Sequence, residues 1–281
     1  MRYSMLCALP VIVLVMLLGQ FRTAAAWAES IRVNGSGSAL YVMKPLIKAY
    51  AQAHPGVRVE MEKPLGSSGA IKALLAGMLD IAVSSKVLQP DEMSQGCISI
   101  EYGKMPLAVV AGKNVLRKNV TTKELEDIYS GKVLKWANSE PVRLILRPDA
   151  DIDTKILEGL SPGMGKAVRD AHVRRGMIVA VTDPESDEMV AKIPGALGAA
   201  ALSAILVEKA SFRVLALNGI MPSVGNLANG TYPLAKDIRF VTTRNSSPAL
   251  RRFINFIYSP QGRAIAGKAG VLVTAKGGNT L

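Results

Sequence analysis

From residue 31 onward, short β-favouring apolar runs alternate with stretches whose apolar residues recur at helical spacing. Residues 31–34 form a short strand pattern ending in GSGS, 40–52 carry the helical period, and 57–62 alternate. GSSG then turns into a helical stretch at 70–78, and residues 80–84 read as a short buried strand. This β-α-β-α-β order predicts a mainly parallel sheet with helices on both faces. Residues 102–112, YGKMPLAVVAG, form a longer extended run suited to crossing between lobes. A second set begins at Thr121, where Thr121-Thr122-Lys123-Glu124 has the capping-box pattern of a helix ending near Gly131. Residues 142–146 predict a strand that runs into RPDADIDT, helical stretches reach about residue 176, and 177–182 predict another strand. Ser186 is the expected cap of a helix with an acidic start. PGALGAAALSAILVEK (194–209) is expected to pack as one long helix of small residues. After a strand at 212–217 the chain returns through NGTYPL to a strand at 238–242, an amphipathic helix at 248–258 and a short helix before GVLV.

Two α/β sets joined by one outgoing and one returning extended segment describe a hinged clamp. The expected division is 29–112 for the first part of lobe 1, 113–237 for lobe 2, and 238–281 for the segment that returns to lobe 1. Ligand sites in open α/β sheets lie beyond the carboxyl ends of strands, where Gly/Ser loops expose N–H groups at helix N-termini.

The first 28 residues follow a different pattern: Arg2, an apolar run, then small residues ending Ala26-Trp27-Ala28. They read as a secretory signal cleaved after Ala28, the run being shorter than the roughly 20 residues that span a bilayer. Export to the periplasm is the expectation. Cleavage removes Arg2 and Arg22 and no acidic residue, taking the formal charge from +12 to +10.

That charge is spread out. The densest basic runs, such as Arg174-Arg175 and Arg251-Arg252, are pairs, and aromatic residues are only 5% of the chain. Without a basic stripe or stacking platforms, nucleic-acid binding is not expected. Two His and two Cys exclude a disulfide scaffold and argue against a His/Cys metal centre or a Ser/His/Asp triad, so neither metal nor cofactor is expected. His54 and His172 read as surface residues, which argues against an enzyme. Cys97, in the loop-like GCISIEYG, reads as a small buried hydrophobe, with a thiol ligand for a soft oxyacid as the sharper alternative.

Three loops have a composition suited to an oxyanion: GSGS at 35–38, GSSG at 66–69 and RPDADIDT at 147–154. Glycine lets the backbone approach a ligand, serine adds a hydroxyl, and a helix N-terminus adds about half a positive charge. The run GSGS…GSSGAIKALLAGMLDIAVSSK, with the later PGALGAAALSAILVEK…VLALNGIMPSVGNLANGTYPLAKDIRFVTT, resembles the periplasmic phosphate-binding proteins of ABC transporters. The resemblance covers nearly all of 31–275 in order. It implies the two-lobed type II periplasmic binding fold, two crossing strands, and lobes that are each a mainly parallel sheet flanked by helices.

Carried over residue by residue, the resemblance makes Ser67 the phosphate-contacting serine, with Ser68 beside it, and Arg147 the arginine that forks onto two oxygens. Ser38 and Ala39 fall on the first loop, where the family has a hydroxyl residue followed by Phe; here Ala39 and Leu40 take those places, and only Ser38 offers a hydroxyl. Ser85 stands where the family carries an Asp that accepts the proton of hydrogenphosphate. After Arg147 the family has a Gly-Ser-Gly-Thr type turn, whereas this chain has Ala150, Asp151, Ile152, Asp153 and Thr154. Asp151 and Asp153 are either helix caps facing solvent or groups that pair with Arg147 or accept hydrogen bonds from a protonated or neutral ligand. Two like charges within about 4 Å cost roughly 4 kcal/mol at an effective dielectric of 20, so their position decides how an anion fares. Tyr102 and Lys104 are further candidates to face the cleft.

The expected function is that of an extracytoplasmic solute-binding protein. A monomer would close on phosphate or a phosphate-like anion and deliver it to a membrane ABC permease. The alternative is a periplasmic adaptor that senses an oxyanion or neutral oxyacid for a membrane receptor kinase.

Overall fold

The computed structural model describes residues 29–275, so the expected signal segment lies outside the described residues. The chain opens with β1 (Glu29–Gly35), α1 (Gly37–Ala53), β2 (Val57–Met61), α2 (Gly66–Leu75) and β3 (Ile81–Ser84). β1 pairs in parallel with both β2 and β3, as crossover helices require. Helix α3 (Pro90–Ser94) leads to β4 (Cys97–Ala111), a 15-residue strand.

The second half contains β5 (Asn119–Val120), α4 (Thr122–Tyr129), β6 (Arg143–Leu146), α5 (Ile152–Glu158) and α6 (Pro162–Val173). It continues through β7 (Ile178–Val179), α7 (Asp183–Lys192), β8 (Ala196–Ala201), α8 (Leu202–Leu206), β9 (Arg213–Leu217) and α9 (Val224–Ala228). The chain then recrosses on β10 (Ala235–Thr243) and ends with α10 (Pro248–Tyr258), α11 (Pro260–Lys268) and β11 (Leu272–Val273).

The main sheet order is β2-β1-β3-β10-β4-β8-β6-β7. β4 belongs to both halves: Cys97 to Pro106 pair antiparallel with β10, and Leu107 to Ala111 with β8. Opposite the Ile238–Arg239 step of β10, β4 carries one extra residue, Tyr102, a bulge that breaks the register. Its ring lies in the core and its hydroxyl donates to the Ile257 carbonyl, so Tyr102 does not face a cleft.

Each half has its own apolar core. Ile31, Val33, Leu46, Tyr50, Phe240, Phe253 and Ile257 fill the first. Leu107, Leu125, Met164, Val168, Leu215 and Tyr232 fill the second. A third cluster joins Tyr41 of α1 to Val110, Ile145 and Val190, so the halves are in contact across α1 and α7.

Several elements differ from the sequence reading. The 194–209 run is not one helix: it forms β8, fully buried between β4 and β6, followed by the short α8. A strand covered on both faces has no polar alternation to distinguish it from a buried helix. Helix α7 starts earlier than expected, with Thr182 and Glu185 forming the reciprocal capping box and Ser186 buried inside the helix. GSSG is the first turn of α2 itself, and Cys97 opens β4. The strand expected at 177–182 is only two residues long.

Gly35, at the end of β1, is fixed by close approach, because a Cβ there would overlap the Val83 carbonyl of the neighbouring strand. Gly35→Ala should therefore destabilise the protein by about 1–3 kcal/mol, read as a lower midpoint in urea unfolding. An unchanged midpoint would contradict this packing.

Candidate functional site

The carboxyl ends of β1, β3 and β6 face one another across a cavity of about 510 Å³. On the first half, Asn34 binds the loops together: its Oδ1 accepts from the Gly35 and Leu65 amides at 2.8 and 2.9 Å, and its Nδ2 donates to the Lys63 carbonyl. This brings the start of α2 against the end of β1. The Ser85 amide donates to Ser67 Oγ at 3.0 Å and ties β3 to the same turn. Leu65 at the N-cap of α2 has no capping side chain, and Gly66 takes a positive φ of 72°. The first-turn amides of α2 have no intrahelical acceptors and lie at the cavity wall, which Ser67, Ser68 and Gly69 help to line.

On the second half, Arg147 follows β6 and is only 6% exposed. Its NH2 donates to Asp151 Oδ2 at 2.8 Å, its NH1 to the Ala180 carbonyl at 3.2 Å, and its Nε has no acceptor among the described residues. Asp151 also caps α5 by accepting from the Asp153 amide at 2.9 Å. His172 and Thr154 fix the backbone beneath: His172 Nε2 lies 2.9 Å from the Arg147 carbonyl, and Thr154 Oγ1 donates to the Pro148 carbonyl at 2.9 Å.

The return strand supplies the central charge. Lys236 Nζ is 2.7 Å from Asp153 Oδ1 and 2.8 Å from Asp183 Oδ1, all three residues being buried. Arg147 NH2 lies 3.8 Å from Asp183 Oδ2. Burial works against the charge of Lys236, but Asp153 and Asp183 raise its pKa above the ordinary lysine value. Burial likewise opposes the charge of Asp183, yet Lys236 and Arg147 bring its pKa down to about 2. Asp153 lies deeper among carboxylates, and burial pushes it up to about 6. Arg147 is raised despite its burial, by Asp183, Asp151 and Asp153. At the opposite wall Lys86 pairs with Glu92 at 2.7 Å.

Of the residues singled out in the sequence, Ser67, Ser68, Arg147 and Asp151 line this cavity. Ser38, Ala39, Ser85, Asp153 and Thr154 do not. Ser38 is fully buried and its carbonyl accepts from Ser203 Oγ; Ala39 is part of the first core. Ser85 shares a 3.0 Å hydrogen bond with Ser36 Oγ. Asp151 and Asp153 are not solvent-facing: one is on Arg147, the other on Lys236. Cys97 is buried among Leu74, Leu88 and Val241, and Lys104 pairs loosely with Asp237, both away from the cavity lining.

The sequence reading missed Lys236 and Asp183. A signal for Lys236 existed, since it shares strand parity with the buried Ile238 and Phe240. A signal for Asp183 lay in Thr182-Asp183-Pro184-Glu185, a capping box with Pro in the first turn.

Residues 22–261 match the family described as the PBP superfamily domain. The phosphate-binding protein PstS of Borreliella burgdorferi is 22% identical over 256 residues, covering 86% of this chain and 89% of that one. Among solved structures, a Clostridium perfringens protein with bound phosphate superposes with a TM-score of 0.75 at 22% identity, over 88% of this chain and all of that one. An ABC-type phosphate transport receptor from Vibrio cholerae gives 0.61 at 22% identity, over 86% and 98%. At this identity the structural likeness establishes the two-lobed fold.

Asp187 provides a check on the electrostatics. Burial, with Asp183 and Asp153 nearby, pushes its carboxyl up to about 7 against the stabilising 2.9 Å hydrogen bond from Tyr41. The folded protein thus holds a proton that the unfolded chain has released, and stability falls as pH rises from about 4 to about 7. Asp153, also raised, adds in the same direction, whereas the lowered Asp183 acts only at more acidic pH. Asp187→Asn should reduce the fall in melting temperature between pH 5 and 8 by several degrees, at about 2–4 °C per kcal/mol for a chain of this size. An equal fall in both proteins would contradict a buried, raised carboxyl.

Proposed function

Because the chain belongs to the PBP superfamily, we propose that it is the extracytoplasmic solute-binding protein of an ABC transporter and that its solute is phosphate or a phosphate-like oxyanion. The family binds and carries solutes and is not an enzyme class. The relatives named for phosphate binding support this reading. The observation that carries it is the convergence of the uncapped start of α2, at Ser67 and Ser68, with the Arg147 guanidinium on one cavity. Helix amides and a guanidinium replace an oxyanion's hydration shell without chemistry at either group.

The binding elements belong to two lobes, 29–112 with the return from 238 onward, and 113–237. A solute that touches both favours the closed form by its unequal affinity for the two states. The closed form is then what a membrane permease recognises. Export by the N-terminal signal, cleaved after Ala28, completes the assignment. The nine residues drawn from the resemblance divide accordingly: Ser67, Ser68 and Arg147 contact the solute, Asp151 orients Arg147, and Ser38, Ala39, Ser85, Asp153 and Thr154 support the walls.

The test is a thermal-shift panel of phosphate, arsenate, sulfate, molybdate, tungstate and arsenite. A ligand at 100 times its Kd stabilises by about 2.7 kcal/mol, so a specific oxyanion should give a clear upward shift. Arg147→Ala should abolish it. A shift that survives in the variant would reject this site, and no shift with any member of the panel would reject an oxyanion solute.

A further inference from the structure

Helix α1 runs for 17 residues, and its N-cap Ser36 contributes no side-chain cap. The Ser36 hydroxyl is engaged with Ser85 instead. The acceptor at this helix end comes from the other lobe: the Asp183 carboxylate lies against the first turn, and the Ser38 amide helps keep its pKa low. A Cβ on Gly37 would meet Pro184 Cδ at 2.7 Å, Asp183 Cβ at 2.9 Å and Asp183 Oδ2 at 3.0 Å, so glycine is what admits the contact.

The same carboxylate receives Lys236 at 2.8 Å and faces Arg147 at 3.8 Å. A helix N-terminus from lobe 1, a guanidinium from lobe 2 and an ammonium from the crossing strand therefore meet on one oxygen pair at the cavity wall. This is the donor set an oxyanion would use. Capping of α7 does not explain the arrangement, since Thr182 and Glu185 already perform it. Asp183 is 8% exposed and Lys236 1%, which excludes a casual surface pair. Arg147 keeps one buried donor, Nε, that no group among the described residues accepts.

We propose that Asp183 is a built-in surrogate for the solute: its carboxylate bridges the two lobes at the anion position, and a solute oxygen enters that position only by displacing it. This deepens the oxyanion-binding reading and rests on it. The surrogate sets a ceiling on affinity, because the incoming anion gains only the difference between its own contacts and those of the carboxylate.

The test is calorimetric titration of the exported protein with inorganic phosphate at pH 7.5, comparing the unmodified chain with Asp183→Asn and, as a second form that keeps a small polar residue at the helix start, Asp183→Ser. Either variant should bind phosphate at least tenfold more tightly than the unmodified protein. Asp187→Asn is the control, because it weakens the Tyr41 contact between α1 and α7 and removes a neighbouring carboxyl while leaving Asp183 itself on its donors. A comparable gain in that control would assign the effect to loosened lobes or to lost negative charge nearby and overturn the surrogate. Phosphate binding by the unmodified protein that is unchanged or weakened in both Asp183 variants would overturn it too, leaving the oxyanion reading intact. Absence of phosphate binding in the unmodified protein and both variants would overturn the surrogate, and the oxyanion reading falls with it if no other member of the oxyanion panel binds.

Discussion

An ammonium group with 1% of its surface exposed is tolerable only if carboxylates surround it, and the middle of this molecule is organised by that requirement. Lys236 arrives on β10, the strand that returns the chain from one half to the other. Its two partners start different helices of the second half, Asp153 in α5 and Asp183 in α7. Removing one member of such a buried group costs about 3–5 kcal/mol, because the remainder is left unpaired. The position of α5 and α7 relative to the crossing strand is thus set by charge, whereas the halves themselves are set by apolar packing.

The same cluster explains how Arg147 can sit in a cavity that also holds aspartates. Asp151 orients the guanidinium while capping α5, and Asp183 is occupied mainly by Lys236. Two cations against Asp151, Asp153 and Asp183 leave the wall short of positive charge. On the proposed reading, affinity for an anion would rest on the amides of α2 more than on net charge.

Local chemistry was readable in the chain wherever it acts over a few residues. The capping box at Thr121 and the amphipathic helix of 248–258 form where their patterns indicate, and the Gly/Ser turn at 66–69 does begin a helix at a cavity. The failures involve partners distant in sequence. β8 looks helical because alanine favours helix, and only its place between β4 and β6 makes it a strand. Ser38 and Ala39 follow a ligand-like loop, but Asp183, some 145 residues on, takes the helix end beside them. Lys236 was passed over because a charge in a strand pattern says nothing of which carboxylates will meet it.

The extra residue at Tyr102 reverses which side chains of β4 point to which face. It lets Tyr102 and Met105, an odd number of positions apart, both enter the first core. Farther along, Leu107 and Val109 serve the second core while Ala108 and Val110 serve the cluster between the halves. The connection between lobes therefore behaves like a reading frame: loss of a single residue there would turn every side chain on one side of the bulge inside out, although the backbone could still reach.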